Sequence, residues 1–206
     1  EVLDYLEDYM MKKDKATQDT LDKMDTGTPV DPKRRRSTAG RRVSFGEPAN
    51  FTETVARVLA VDLCKYIARG GQHVDPPPNK YAETMRRAAG NIAKCNQDIF
   101  DRFLEKLQVN ELNGYETLLS VAEQMFSEGE NNWGRIVTIY AFGGWIAKQS
   151  KTKDDVMMEQ IGDVLGYYVG RNLRKWIEDN GGWVKIFLFS YTGIKKKKKT
   201  IEIICQ

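Results

Sequence analysis

The stretch that most constrains this chain is NNWGRIVTIYAFGGWIA, residues 131–147. From Ile136 to Ala147 almost every residue is apolar or small. A run of that length is too short to cross a bilayer and suits a helix buried on all sides. Asn131 or Asn132 can cap its start, where the first backbone N–H groups lack partners. Arg135 is the anomaly, a permanent cation one turn into an apolar helix. It needs a carboxylate partner or a path to water. Both a snorkelling arginine on a core helix and an arginine aimed at a ligand meet that need. Gly143 and Gly144 cost helix stability, roughly 1 kcal/mol each against Ala, and so point to close approach by a neighbouring helix.

The rest of the chain reads as helices gathered round this one. Val55, Leu59, Leu63 and Tyr66 form one face of a helix over 52–69, capped by Thr52 or Thr54 and ended by Gly70-Gly71. After the rigid Pro76-Pro77-Pro78 connection, Tyr81, Met85, Ala88, Ala89 and Ile92 recur at helical spacing. Phe100, Phe103, Leu104 and Leu107 mark a short helix. Asn113-Gly114 is a turn. The next helix carries a wide apolar stripe (Tyr115, Leu118, Leu119, Ala122, Phe126) and a narrow one (Val121, Met125), so it covers both the core and something else, such as a surface groove. Met157, Ile161, Val164, Leu165 and Tyr168 give another helix. Leu173, Trp176 and Ile177 give a short one, stopped at Asn180-Gly181-Gly182, and Trp183, Ile186 and Phe187 begin the last. No alternating strand pattern and no repeat occurs. The fold class is all-α, amphipathic helices round a central hydrophobic one.

Charge divides the chain. Residues 1–31 hold nine acids against four Lys, residues 33–42 hold six Lys or Arg, and 195–199 are five Lys in succession. Such blocks read as solvated segments. The domain reading is an N-terminal extension and basic linker over 1–50, a helical domain over 51–190 and a basic tail over 191–206. Leu3, Leu6 and Met10 have helical spacing within the extension. Ser37 and Ser44 follow basic runs and suit basophilic kinases. The basic blocks lack interleaved aromatics, so no nucleic-acid partner is expected; Lys195–Lys199 suits an anionic membrane surface. Three cysteines without scaffold spacing read as free thiols in a reducing, cytoplasmic setting. With one histidine, no metal-ligand spacing and no catalytic set, neither an enzyme nor a cofactor is expected.

The wording of two segments goes further than periodicity. Asn132-Trp133-Gly134-Arg135-Ile136-Val137, followed by Phe142-Gly143-Gly144, resembles the first homology motif of the Bcl-2 family of apoptosis regulators. Trp176-Ile177-Glu178-Asp179-Asn180-Gly181-Gly182-Trp183 resembles the second, and the two begin 44 residues apart, at 132 and 176. Residues 59–71 are more loosely similar to the family's first helix, and the wording from Glu83 to Lys148 looks most like the myeloid-cell-leukaemia branch of survival members. The resemblance implies a helical bundle round a hydrophobic hairpin, with a groove that receives the BH3 helix of a partner. It implies that Phe100, Phe103, Val121, Met125, Thr138, Ile139 and Phe142 line that groove, open to water. Gly134 belongs to the same motif, Arg135 matches the arginine that pairs with the ligand's aspartate, and Asn132 matches the asparagine that bonds it. The partners so implied are BH3 helices of Bax/Bak-type and BH3-only proteins. Location at the mitochondrial outer membrane or endoplasmic reticulum is implied too.

One departure bears on which side of the family this is. The family's own BH3 motif ends in Asp. Here Met85-Arg86-Arg87-Ala88-Ala89-Gly90-Asn91-Ile92 holds that place, with Gly90 or Asn91 where the acid would stand. A chain without the acid is a poor donor of this helix but loses nothing as a receptor. The expectation is therefore an anti-apoptotic regulator that sequesters BH3 helices. The alternative is a membrane-permeabilising effector of the Bax/Bak type.

Overall fold

The computed structural model describes residues 50–72, 74–110, 113–127, 131–149 and 155–188, all within the compact unit Val43–Gln206. Seven helices carry these residues: α1 (Phe51–Ala68), α2 (Lys80–Cys95), α3 (Gln97–Lys106), α4 (Gly114–Ser127), α5 (Trp133–Gln149), α6 (Asp155–Asn172) and α7 (Arg174–Asp179). A further helical turn spans 185–188. No strand occurs among the described residues. The expected helix near residues 2–10, Ser37, Ser44, His73, Lys195–Lys199 and Cys205 lie outside them.

α5 is the axis. Every residue from Ile136 to Ala147 is buried, and α1, α2, α3, α4 and α6 all pack on it. The doublet Gly143-Gly144 sits where neighbours come closest. A Cβ at Gly143 would stand 2.8 Å from Leu165 Cδ2, and one at Gly144 would stand 2.6 Å from Ile67 Cδ1. The polar group inside this apolar helix is satisfied, since Tyr140 donates its hydroxyl to the Ala56 carbonyl at 2.9 Å. Trp183, also buried, donates Nε1–H to the Thr52 carbonyl at 3.1 Å and so ties the segment after α7 to α1.

α1 and α6 make the most extensive pairing and run antiparallel. Glycines at four-residue steps allow this. A Cβ at Gly162 would meet Val61 Cα at 2.5 Å, one at Gly166 would meet the Arg57 backbone, and one at Gly170 would meet Glu53 Cα at 2.9 Å. Three ion pairs run along the same contact: Arg57–Asp163 at 2.7 Å, Lys65–Glu159 at 2.6 Å, and Arg69–Asp155. Partly exposed pairs contribute little singly, ~0.2–1 kcal/mol; the close packing of the two helices contributes more.

Helix ends follow the sequence with one correction. α1 is capped by Asn50, whose Oδ1 accepts the Glu53 N–H at 3.1 Å, rather than by Thr52 or Thr54. Thr52 Oγ1 instead donates to Glu178 Oε1 at 3.0 Å. The Arg174 guanidinium, the stronger influence, and that bond hold the Glu178 carboxyl below its usual range. Gly70 and Gly71 end α1 with φ of 64° and 77°, and Gly181 and Gly182 end α7 with φ of 88° and 64°, backbone that residues with a Cβ rarely adopt.

Candidate functional site

The motif arginine lies in the first turn of α5. Asn132 caps that turn, its Oδ1 accepting the Arg135 N–H at 2.9 Å. The Arg135 guanidinium is half-buried and donates Nη1–H to the carbonyl of Met125 at 2.9 Å. The arginine is thereby held beside α4, against one of the residues assigned to the groove. Gly134, in the same turn, is half-buried.

The assigned groove residues come from three helices. Phe100 and Phe103 stand on α3, Val121 and Met125 on α4, and Thr138, Ile139 and Phe142 on α5. The phenylalanines meet directly: the Phe103 and Phe142 rings lie edge to face at 5.2 Å, and Phe100 and Phe142 are tilted at 5.9 Å. Such pairs are worth ~0.5–1.5 kcal/mol beyond their buried area. Phe100 also tilts against Trp145 at 6.1 Å, a contact that no periodicity signalled.

The expected open trough is not what these positions show. None of the seven side chains exceeds 3% exposure. On α4 the narrow stripe, Val121 and Met125, is fully buried, while Tyr115, Leu119 and Phe126 of the wide stripe are only half-buried. The physical reason is visible in the rings. Phe100 and Phe103 satisfy their apolar surface against Phe142.

α3 supplies one wall of this cluster. It packs on α2 and α5; the side chain of its N-cap residue Asn96 caps no N–H of α3 and instead donates Nδ2–H back to the Ile92 carbonyl at 2.8 Å. α2 is held firmly. Met85, Ala89 and Ala93 are buried, and Arg86 reaches Asp62 of α1 with Nη2–Oδ1 2.5 Å and Nε–Oδ2 2.8 Å. Sequence reasoning missed this fork. Opposite charges on adjacent helices were legible, but the chain offers many acids and nothing in spacing selects Asp62. Groups with raised pKa lie elsewhere. Burial, with Asp62 adding to it, pushes the Cys64 thiol up to about 12, and burial pushes Tyr140 well above its ordinary range. No group of three or more metal-ligating side chains occurs among the described residues.

The structure is thus an all-helical bundle round a buried helix, with an arginine at its rim and an aromatic cluster below. Residues 85–183 match the family of apoptosis regulator proteins, Bcl-2 family. Canine (Canis lupus familiaris) apoptosis regulator Bcl-2 is 30% identical over 144 residues, covering 68% of this chain and 61% of that protein. The bovine (Bos taurus) Bcl-2-related protein A1 is 28% identical over 160 residues, covering 72% of this chain and 91% of that one. Among solved structures, the zebrafish pro-survival protein NRZ in complex with Bad BH3 superposes with a TM-score of 0.60 at 23% identity, covering 67% of this chain and 93% of that one. Trichoplax adhaerens trBcl-2L2 bound to trBak BH3 gives a TM-score of 0.57 at 22% identity, covering 68% and 99%. The fold is Bcl-2-like, and the chain belongs to the Bcl-2 family of apoptosis regulators, a non-enzymatic family. It spans only 61% of the length of the canine Bcl-2 it matches. No described helix is long and apolar enough to cross a membrane.

Proposed function

We propose that this chain is a pro-survival regulator that captures the amphipathic BH3 helices of pro-apoptotic partners, of the Bax/Bak type and BH3-only. The observation that carries the reading is Arg135, held by Asn132 and the Met125 carbonyl beside the Phe100, Phe103, Val121, Met125, Thr138, Ile139 and Phe142 cluster. The relatives support it, since NRZ is a pro-survival protein seen with Bad BH3 and trBcl-2L2 is seen with trBak BH3. The departure at Gly90 supports it as well, because a motif without its acid cannot serve as donor to another molecule's arginine.

The mechanism follows from burial. A ligand helix gains its free energy by placing apolar side chains where Phe100 and Phe103 now rest, at ~25 cal/mol per Å² before ordering costs. α3 must move for this. The ligand's aspartate then takes the Arg135 guanidinium, a charge-assisted bond worth about 1.5–3 kcal/mol. Asn132 is placed to hydrogen-bond the same aspartate. Register and specificity come from that bond, and most affinity from the apolar contacts.

The finer placement in the myeloid-cell-leukaemia branch rests on the wording from Glu83 to Lys148; the relatives named above are Bcl-2 and Bcl-2-related A1. The cytoplasmic face of the mitochondrial outer membrane or endoplasmic reticulum is the location this function requires, and Lys195–Lys199 would favour an anionic surface there. The test is titration of fluorescent Bad and Bak BH3 peptides. Saturable binding by wild type, weakened about tenfold or more by Arg135→Ala, is expected; no saturable binding by wild type overturns the proposal.

A further inference from the structure

A cavity of about 710 Å³ opens on another part of the body, between the C-terminal end of α1, the outer face of α2 and the last turn of α5. Its size falls in the range of small-molecule sites. Two features set it apart from an ordinary surface cleft. The first is charge: Arg86, Arg87, Lys94 and Lys148 line it against one acid, Glu83. Two acids that contact lining residues are already engaged. Asp62 holds Arg86, and Asp101 accepts from Trp145 Nε1 at 2.7 Å and Gln149 Nε2 at 2.9 Å. Lys94 and Lys148 form no ion pair among the described residues. The second is an aromatic floor. Lys148 Nζ stands 3.8 Å from the centroid of the Trp145 ring, and Tyr66 borders the same space.

Gly90 keeps the space open. A Cβ there would come within 3.3 Å of Tyr66 Cε1, and any longer side chain would reach into the cavity. Gly90 and Asn91 both line it, so the positions that lack the motif's acid add no second carboxylate beside Glu83. Like-signed charges on low-dielectric walls concentrate the field, and lysine ammonium groups act as compact point charges toward phosphate.

We propose that this cleft binds a compact phosphate-bearing anion, with Lys94 and Lys148 contacting phosphoryl oxygens and Trp145 and Tyr66 flanking its body. The proposal is independent of BH3 capture. Its test is calorimetric titration of the full chain with sodium tripolyphosphate at about 0.15 M salt, where long-range screening is strong. A parallel arm uses phosphatidylcholine vesicles with and without phosphatidylinositol bisphosphate. Saturable tripolyphosphate binding marks a soluble ligand, and binding to the bisphosphate vesicles alone marks a headgroup; either supports the site. Lys94→Glu with Lys148→Glu, and separately Gly90→Asp, should each weaken binding about tenfold or more while BH3-peptide affinity stays as in wild type. Should Lys148→Glu disturb Trp145, the exposed Lys94→Gln alone carries the test. Absence of binding in both arms overturns the proposal. So does undiminished binding by these variants, which would assign the anion to Lys195–Lys199.

Discussion

The α1–α6 contact yields a sharp prediction, because one substitution at two sites separates packing from helix propensity. Gly162→Ala adds a methyl 2.5 Å from Val61 Cα and 2.8 Å from Val61 N. Carbon atoms rest about 3.5–4.0 Å apart, so the shortfall is roughly 1–1.5 Å. The obstacle is backbone and cannot rotate away. α1 and α6 must part along a line that also holds Gly166 and Gly170. Overpacking of this kind costs about 3 kcal/mol, the upper part of its usual range, against a propensity gain of about 1 kcal/mol. The net loss is about 2 kcal/mol, or roughly 4–8 °C in Tm for a body of this size. Gly90→Ala has the same propensity gain but faces only the edge of the half-exposed Tyr66 ring at 3.3 Å. It should be neutral or stabilising by up to about 1 kcal/mol. Urea unfolding followed by far-ultraviolet circular dichroism measures both. A Gly162→Ala protein as stable as wild type, or a Gly90→Ala protein destabilised equally, would refute the reasoning.

Other outcomes follow from single contacts. Tyr140→Phe removes a second donor from the Ala56 carbonyl, which keeps its place in the α1 helix, and should cost about 0.5–1.5 kcal/mol in the same assay. Asn50→Ala removes the α1 cap and should cost about 1 kcal/mol; Thr54→Ala, which loses no cap, should cost less. Asp62→Ala strands the Arg86 guanidinium and should cost about 1.5–3 kcal/mol, largely relieved in the Asp62→Ala/Arg86→Met pair, as a double-mutant cycle reports. The Cys64 thiol, with its pKa raised from 9.0 to about 12, contributes stability that is complete below pH 9 and is lost as pH rises toward 12. Tyr140, raised above 10.0, acts in the same direction. Alkaline titration should therefore unfold the body cooperatively, with Cys64 unreactive to a thiol reagent at pH 8 while exposed Cys95 reacts at once.

The fold was legible where burial alone dictates sequence. The apolar run before Ala147 had to be central, Gly143-Gly144 had to mark contact, and the glycine pairs after α1 and α7 had to stop helices. The cap of α1 was misread because Asn50, Thr52 and Thr54 are all competent and only the backbone geometry chooses among them. The cluster residues were found through motif wording. Whether their side chains meet water could not be read, because Phe100 and Phe103 are equally apolar whether they wait for a ligand or rest on Phe142. The basic cleft was invisible for another reason. Lys94 and Lys148 lie 54 positions apart, 94 to 148, and only the packing of α2 on α5 brings them to one space.

The fork between Arg86 and Asp62 has a consequence for the direction in which this molecule trades helices. To lend α2 to a neighbour, the body would have to expel Met85 and Ala89 from its interior and abandon a carboxylate that is only 11% exposed. Nothing at Gly90 would compensate on arrival. Such a body is built to keep that segment at home.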